Sequence, residues 1–319
     1  MIAVSPYHLT TREAPAMAAL LLGTRVVTLA PASAGGNAAW ARRAAGRVRA
    51  FADLARSWTW AEELFRAGVL VREVDGETPE EDVRWVLERL SVDDRYAALR
   101  MFLHQAEGDA HLAAISADIL KGGPDPGLSI PVAAGLDRFA VRRCALVARS
   151  PAVSVAQKAE ANLGTGVLTC AVPVLLQADA ARLMHAREVM RRELDALRAA
   201  MMRLPEVVQS GARGVSGVHR DVELAAKAYG AAFEHKRADV HVGAEDDEVR
   251  LVESVALVSV VALPSDAVLA SGVTALRSMG ASGRHESVST GGTGGVIVRH
   301  DQAEGRRVAG LVIKAMGTR

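Results

Sequence analysis

The sequence predicts an α/β fold in which a mostly parallel sheet begins with an N-terminal βαβ unit. A short apolar segment, Ile2-Ala3-Val4, is followed by a polar loop, a short apolar helix and a second β-branched run at 25–30. Further strand patterns at 144–149 and 167–175 alternate with segments of helical length. Such alternation is typical of parallel βαβ units. We therefore expect these four strands to belong to one sheet.

The chain has 319 residues, which exceeds what one small core accommodates and indicates several structural regions. The α/β core is interrupted by a helical subdomain and followed by a long helical hairpin and a small C-terminal α+β unit. The predicted boundaries are 1–36 for the first βαβ unit, 37–121 for the helical subdomain, 122–177 for the remainder of the core, 178–241 for the helical hairpin and 242–319 for the C-terminal unit.

The helical subdomain is indicated by a concentration of aromatic residues between positions 40 and 102. Its segments 59–67 and 79–90 have helical spacing, as do 37–56 and 93–105. Pro79 followed by acidic residues is a typical helix start. We expect Trp58 and Trp60 to pack within this subdomain, with contact to a ligand as the alternative.

The helical hairpin carries the clearest periodicity in the chain. Apolar residues repeat at spacings of four and three, with Arg187 at an intervening seam position, and the helix is expected to stop at Pro205. A second amphipathic helix follows. Each of the two helices carries an apolar stripe, and we predict that the stripes pack against each other within one chain. This is favoured over a dimer interface, because it requires no association of two chains. The stripes are Met190, Leu194, Leu197, Met201 and Leu204 in the first helix and Val222, Ala226, Tyr229 and Phe233 in the second.

The C-terminal unit is predicted to contain strands at 250–262 and 307–315 and a glycine-rich loop at 287–295. Phosphate-binding loops lead from a strand into a helix N-terminus, where free amides point at the anion. This loop instead leads into the strand pattern Val296-Ile297-Val298. We predict a mobile hairpin connection, and binding of an anion by 287–295 remains the alternative.

Composition excludes some classes of protein. The 38 basic and 37 acidic residues nearly cancel, which gives no general attraction to nucleic acid. We find no apolar stretch long enough to span a membrane and no export signal. Cys144 and Cys170 are predicted as buried, reduced thiols in strands, which favours a cytoplasmic protein, and abundant alanine and arginine are typical of a bacterial genome rich in GC.

Motifs for metal and cofactor chemistry are absent from the sequence. His104 and His111 flank Glu107 and Asp109, but Gly108 interrupts the helix that would align them. There is no HExxH, no Walker loop, no G-x-S-x-G elbow and no zinc-type cysteine set. We predict no metal site and no cofactor site, and the sequence identifies no cofactor.

The loop after the first strand is the best candidate for a ligand site, because ligands of open α/β sheets bind beyond the carboxyl ends of strands. We assign Tyr7, Thr10 and Arg12 to ligand binding and His8 to acid–base catalysis. Thr10 has capping-box spacing and is expected to begin the helix, although Pro15 favours a start nearer residue 14. Alternatively, His8 only satisfies a backbone carbonyl.

Two functions are consistent with these patterns. The first is a binding or assembly protein that contacts a protein partner, or a second copy of itself, through its helical surfaces. The second is an enzyme that acts on a small anionic substrate, with His8 as the acid or base and Arg12 binding the charge. The missing catalytic motifs favour the first. A ligand pocket at His8 and Arg12 would favour the second, and an apolar patch on the hairpin would favour the first.

Overall fold

A six-stranded sheet forms the centre of the protein, with strand order β3-β2-β1-β4-β6-β5. The structure is a computed structural model that describes residues 1–12, 14–29, 58–92, 126–149, 166–175, 177–209, 215–240 and 249–259. The strands are β1 (Ile2–Val4), β2 (Val26–Val27), β3 (Leu70–Val71), β4 (Leu146–Arg149), β5 (Gly166–Leu175) and β6 (Val249–Ser259).

The four strands β3, β2, β1 and β4 are parallel, and β6 runs antiparallel to both of its neighbours. The α/β character and the parallel βαβ opening are thereby confirmed. The strand predicted at 25–30 is shorter than expected and spans only Val26–Val27. The next residue is Thr28, whose hydroxyl donates to the carbonyl oxygen of Val4 at 2.8 Å.

Two strands occupy places that the sequence patterns did not indicate. β3 lies inside the region predicted to be entirely helical, and it pairs with β2. β6 matches the strand predicted at 250–262, but it pairs with β4 and β5 of the main sheet. The rest of the predicted C-terminal unit lies outside the described residues, and the domain boundaries stay a prediction.

The helices are numbered in chain order. A single 3₁₀ turn (Thr59–Ala61) precedes the third of them. They are α1 (Pro6–Thr11), α2 (Ala14–Leu22), α3 (Glu62–Arg66), α4 (Pro79–Ser91), α5 (Pro126–Arg143), α6 (Ala180–Val189), α7 (Arg191–Gln209), α8 (Val215–His235) and α9 (Arg237–Val240).

Helices cover both faces of the sheet. The connection from β1 to β2 moves in one direction along the sheet and the connection from β3 to β4 moves in the other. Because such crossovers are right-handed, α2 and α5 lie on opposite faces. Both helices pack against β1 and β4; α2 also packs against β5 and β6, and α5 packs against α4. All three residues of β1 are buried, as expected for a central parallel strand.

Helices α4 and α5 are joined by a close contact and by ion pairs. The backbone of Gly135 lies so near Val83 that a Cβ atom at position 135 would be 2.8 Å from the Val83 Cα. Asp82 is 2% exposed, and its carboxylate accepts a hydrogen bond from Arg142 at 2.7 Å and forms an ion pair with Arg138 at 2.8 Å. The bond to Asp82 raises the pKa of Arg142 above its usual value. These contacts fix the helix pair that leads into β4.

The prediction for Cys144 is wrong, because this residue is exposed and precedes the strand. It has a φ of 50° and follows the last turn of α5. The amide of Ala145 donates to the carbonyl of Ala140 at 2.9 Å, which is the 6→1 bond of a Schellman motif. The helix end therefore takes position 144 out of the strand. Cys170 lies in β5, as predicted.

The helical hairpin is formed by α7 and α8, which pack antiparallel. Arg203 pairs with Asp221 near the connection, and Lys236 pairs with Glu193 at 3.3 Å near the open end. All the stripe residues named above are buried. The predicted break at Pro205 is wrong, because α7 continues through this proline to Gln209. Leu204 and Pro205 are both buried, so packing against the core compensates for the lost backbone bond.

Arg187 interrupts the apolar stripe because it binds the end of another helix. Its guanidinium donates to the carbonyl oxygens of Leu20, Leu21 and Gly23, the last at 2.7 Å. Arg198 donates to the carbonyl of Leu22 at 2.8 Å. Burial, with the charge of Arg198 nearby, lowers the pKa of Arg187 to about 10. Arg187 therefore stays charged at neutral pH and satisfies carbonyls that the helix itself leaves open.

Replacement of Arg187 by methionine is expected to lower the free energy of unfolding by about 1–2 kcal/mol, because carbonyl oxygens at the end of α2 lose their donor. Methionine keeps the apolar stem, so the packing of the stripe is preserved. The measurement is urea unfolding monitored by circular dichroism. Arg191→Met is the control, since Arg191 is 66% exposed and its partner is the neighbouring surface residue Glu188. Equal stability of both variants would contradict the capping role.

Several predictions concern residues outside the described ranges. They are the helices at 37–56 and 93–105, the pair His104 and His111, and the glycine-rich loop at 287–295.

Candidate functional site at the carboxyl end of the first strand

The site is built on the position where the strand order reverses. β1 lies between β2 and β4. From β1 the chain continues to β2 and β3 on one side, and from β3 it returns past β1 to β4 on the other side. In open α/β sheets the resulting crevice beyond the carboxyl ends is where ligands bind. Val4 is paired with Ala148, so Ser5 and Arg149 are the next residues of the two strands at this edge. Ser5 and Arg149 therefore mark the edge of the sheet where the strand order reverses.

Helix α1 follows β1 directly. Pro6 occupies its first position, where the missing N–H and the fixed φ of proline favour a helix start. Pro6 and Leu9 are buried, and His8 is half-buried between them. The capping-box prediction is wrong, because Thr10 lies inside α1 and does not begin a helix. α2 begins at Ala14, the alternative start, which places Pro15 in the first turn.

Thr10 is held by a tryptophan from a distant part of the chain. The indole Nε1 of Trp58 donates to the Thr10 hydroxyl oxygen at 2.8 Å. Trp58 is 2% exposed, and its ring stacks on Phe65 with 6.3 Å between centroids. The expected packing role of Trp58 is thus observed, and the same residue fixes α1.

Arg12 is held by two further contacts. Its Nη1 donates to the backbone carbonyl of Gln177 at 2.7 Å, in the turn after β5. Its guanidinium also lies over the ring of Trp60 at 5.8 Å from the centroid. Arg12 and Gln177 both have left-handed backbones, with φ of 51° and 59°. The positively charged Arg12 guanidinium thus binds a carbonyl oxygen of the protein itself.

The structure places the four predicted site residues, Tyr7, His8, Thr10 and Arg12, in one segment beyond β1. Thr10 and Arg12 make contacts that position α1. His8 lies within this helix, immediately before Leu9 in the sequence. Sequence reasoning did not predict the contact with Gln177, which has no local signal because it reaches Arg12 only through folding. Arg149 is the last residue of the strand predicted at 144–149, but the pattern did not indicate that this strand lies beside β1.

Metal-binding groups are not assembled in the described part of the chain. No group of three or more His, Cys, Asp or Glu side chains there is placed to hold an ion. Among the described helices, none is both long and apolar enough to cross a membrane.

Comparison of the chain with protein-family models, curated proteins and solved structures finds no match.

Proposed function

We propose that this protein binds a small anionic ligand in the crevice between the carboxyl ends of β1 and β4. The reversal of strand order at these strands carries the proposal, because such reversals form ligand crevices in open α/β sheets and this one adjoins the helix that contains His8. Arg149 is the last residue of β4 at this edge, and this place in the strand makes it a candidate for binding the charge of the ligand. Arg12, one of whose guanidinium nitrogens donates to Gln177, is the other candidate.

His8 is the candidate proton donor or acceptor in this proposal. Imidazole changes its charge near neutral pH, and His8 is half-buried in the helix that begins directly after β1. An enzyme acting on a small anionic substrate is the form of this function that uses His8 chemically. A cytoplasmic location belongs to the same proposal, since an exposed thiol such as Cys144 stays reduced there.

Thermal unfolding with inorganic pyrophosphate, inorganic phosphate and succinate tests this function. A ligand at 100 times its Kd stabilises a protein by about 2.7 kcal/mol, and we expect at least one anion to raise Tm by about 5 °C. His8→Ala and Arg149→Met are expected to abolish most of that rise. Arg66→Met is the control, because Arg66 is exposed on α3. A rise that is equal in all variants would place the anion elsewhere, and no rise with any anion would contradict the proposal.

A second candidate function is association through a helical surface. Leu224 on α8 is 61% exposed, between the ion-paired residues Glu223 and Lys227. A large apolar side chain in a charged surface is one feature of interaction sites. Analytical ultracentrifugation of the wild type and of Leu224→Asp tests self-association. A wild-type protein that sediments as a monomer at every concentration would contradict self-association through this surface.

A further inference from the structure

Helix α1 lies between two parts of the chain that are fixed in the core. The three residues of β1 are buried, and in α2 every residue from Pro15 to Leu22 is buried. In α1 only Pro6 and Leu9 are buried among the residues with described side chains. The chain leaves α1 through Arg12, whose left-handed backbone marks a sharp change of direction. Movement of α1 relative to the core therefore requires backbone rotations at both of its connections, at Ser5 after β1 and at Arg12 before α2.

The contacts of α1 with the rest of the protein include two single hydrogen bonds, which we call the clasp. One runs from Trp58 to Thr10, and the other from Arg12 to the carbonyl of Gln177. The Trp58 bond is partly buried and the Arg12 bond is exposed. Bonds of this kind contribute little net stability, and segments held by them open locally without global unfolding.

We propose that α1 is a gate over the crevice between β1 and β4, held closed by the clasp and opening about its two connections at Ser5 and Arg12. α1 begins two residues after the end of β1, so its movement uncovers the carboxyl end of that strand. The role of the crevice rests on the proposed function. The opening itself requires no ligand, because it depends only on contacts within the chain.

Hydrogen exchange of the full chain without ligand, followed by mass spectrometry, tests the gate. Thr10→Val removes the hydroxyl acceptor and keeps the side-chain volume, and Arg12→Ala removes the donor to Gln177. Each variant is expected to speed exchange in the peptide 5–13 about fivefold to tenfold after correction for intrinsic rates. Peptides from α2 and α7 are expected to exchange at the wild-type rate, since the core is unchanged.

Arg203→Ala is the matched control, because it removes an exposed arginine contact between α7 and α8. It is expected to leave the peptide 5–13 unchanged. The gate is overturned if exchange in α1 and α2 rises together, which would indicate a loss of global stability, or if neither changes. A failure of pyrophosphate, phosphate and succinate to raise Tm would contradict the proposed function alone, since the exchange experiment contains no ligand.

Discussion

Replacement of Gly135 by alanine is expected to lower the free energy of unfolding by about 2–3 kcal/mol. The new Cβ atom would lie 2.4 Å from Cγ2 of Val83 and 2.8 Å from its backbone nitrogen. The side-chain atom can move, but the backbone atom can move only if α4 and α5 separate. Alanine favours a helix over glycine by about 1 kcal/mol, and the expected loss is what remains after this gain. Chemical unfolding at constant temperature measures it.

Gly230→Ala is the matched control in another long helix. A Cβ atom at position 230 in α8 would meet no heavy atom within 4 Å. The same substitution is therefore expected to stabilise the protein by about 0.5–1 kcal/mol through helix propensity alone. If Gly135→Ala lowers the free energy of unfolding and Gly230→Ala raises it, α4 and α5 pack as closely in solution as in the structure. Stabilisation by both substitutions would show that this contact is looser.

The packing at Gly135 affects the candidate site through β4. Helix α5 leads into this strand through the turn at Cys144, and α5 is fastened to α4 by Asp82 with Arg138 and Arg142. β4 in turn is paired with β1 at the proposed ligand site. A shift of α5 would therefore change the separation of Ser5 and Arg149. We expect residue 135 to influence ligand binding without contacting the ligand.

The sequence predicted the strands that can be recognised from their own residues. β1, β4 and β5 contain runs of β-branched and apolar residues that are distinct from the adjoining helices. β3 was missed because it has only two residues, Leu70–Val71, in a segment with helical patterns on both sides. Its strand character comes from pairing with β2, which is a tertiary contact. Periodicity over a short window does not contain that information.

The place of β6 illustrates a different limit. Its apolar run indicated a strand, and the observed Val249–Ser259 agrees with the predicted 250–262 to within a few residues. Its neighbours did not follow from the pattern, because Val258 is paired with both Val147 and Val167, about a hundred residues away along the chain. Pairing is decided by which edges are open once the other strands have assembled. Such a choice is a property of the whole sheet.

The sequence selected the segment of the candidate site, but it did not indicate the contacts that its residues make. The rule that ligands lie beyond the carboxyl ends of strands selected the segment of His8 and Arg12, and the structure places this segment beside the reversal of strand order. It did not show that Arg12 would be committed to Gln177 or that Trp58 would bind Thr10. These contacts join residues more than forty positions apart, and no local spacing specifies them. The roles of Arg12 in ligand binding and of His8 in catalysis therefore stay predictions.

Replacement of Leu194 by alanine is expected to lower the free energy of unfolding by about 3–5 kcal/mol, because it leaves a cavity in a closed interface. Leu194 is fully buried in the stripe of α7 that faces α8 and the sheet. The expected loss is the same at low and high protein concentration, since the stripe packs within one chain. Unfolding in urea at two concentrations that differ a hundredfold measures both the loss and its concentration dependence.

Leu224→Ala is the control for Leu194→Ala, because this leucine lies on the neighbouring helix and is 61% exposed. Its truncation is expected to change the free energy of unfolding by less than about 0.5 kcal/mol. A loss at Leu194 that grows with protein concentration would show that the stripe belongs to a dimer interface, because association then contributes to stability. A loss independent of concentration leaves the outer face of α8, with Leu224, as the surface through which the hairpin can meet a partner.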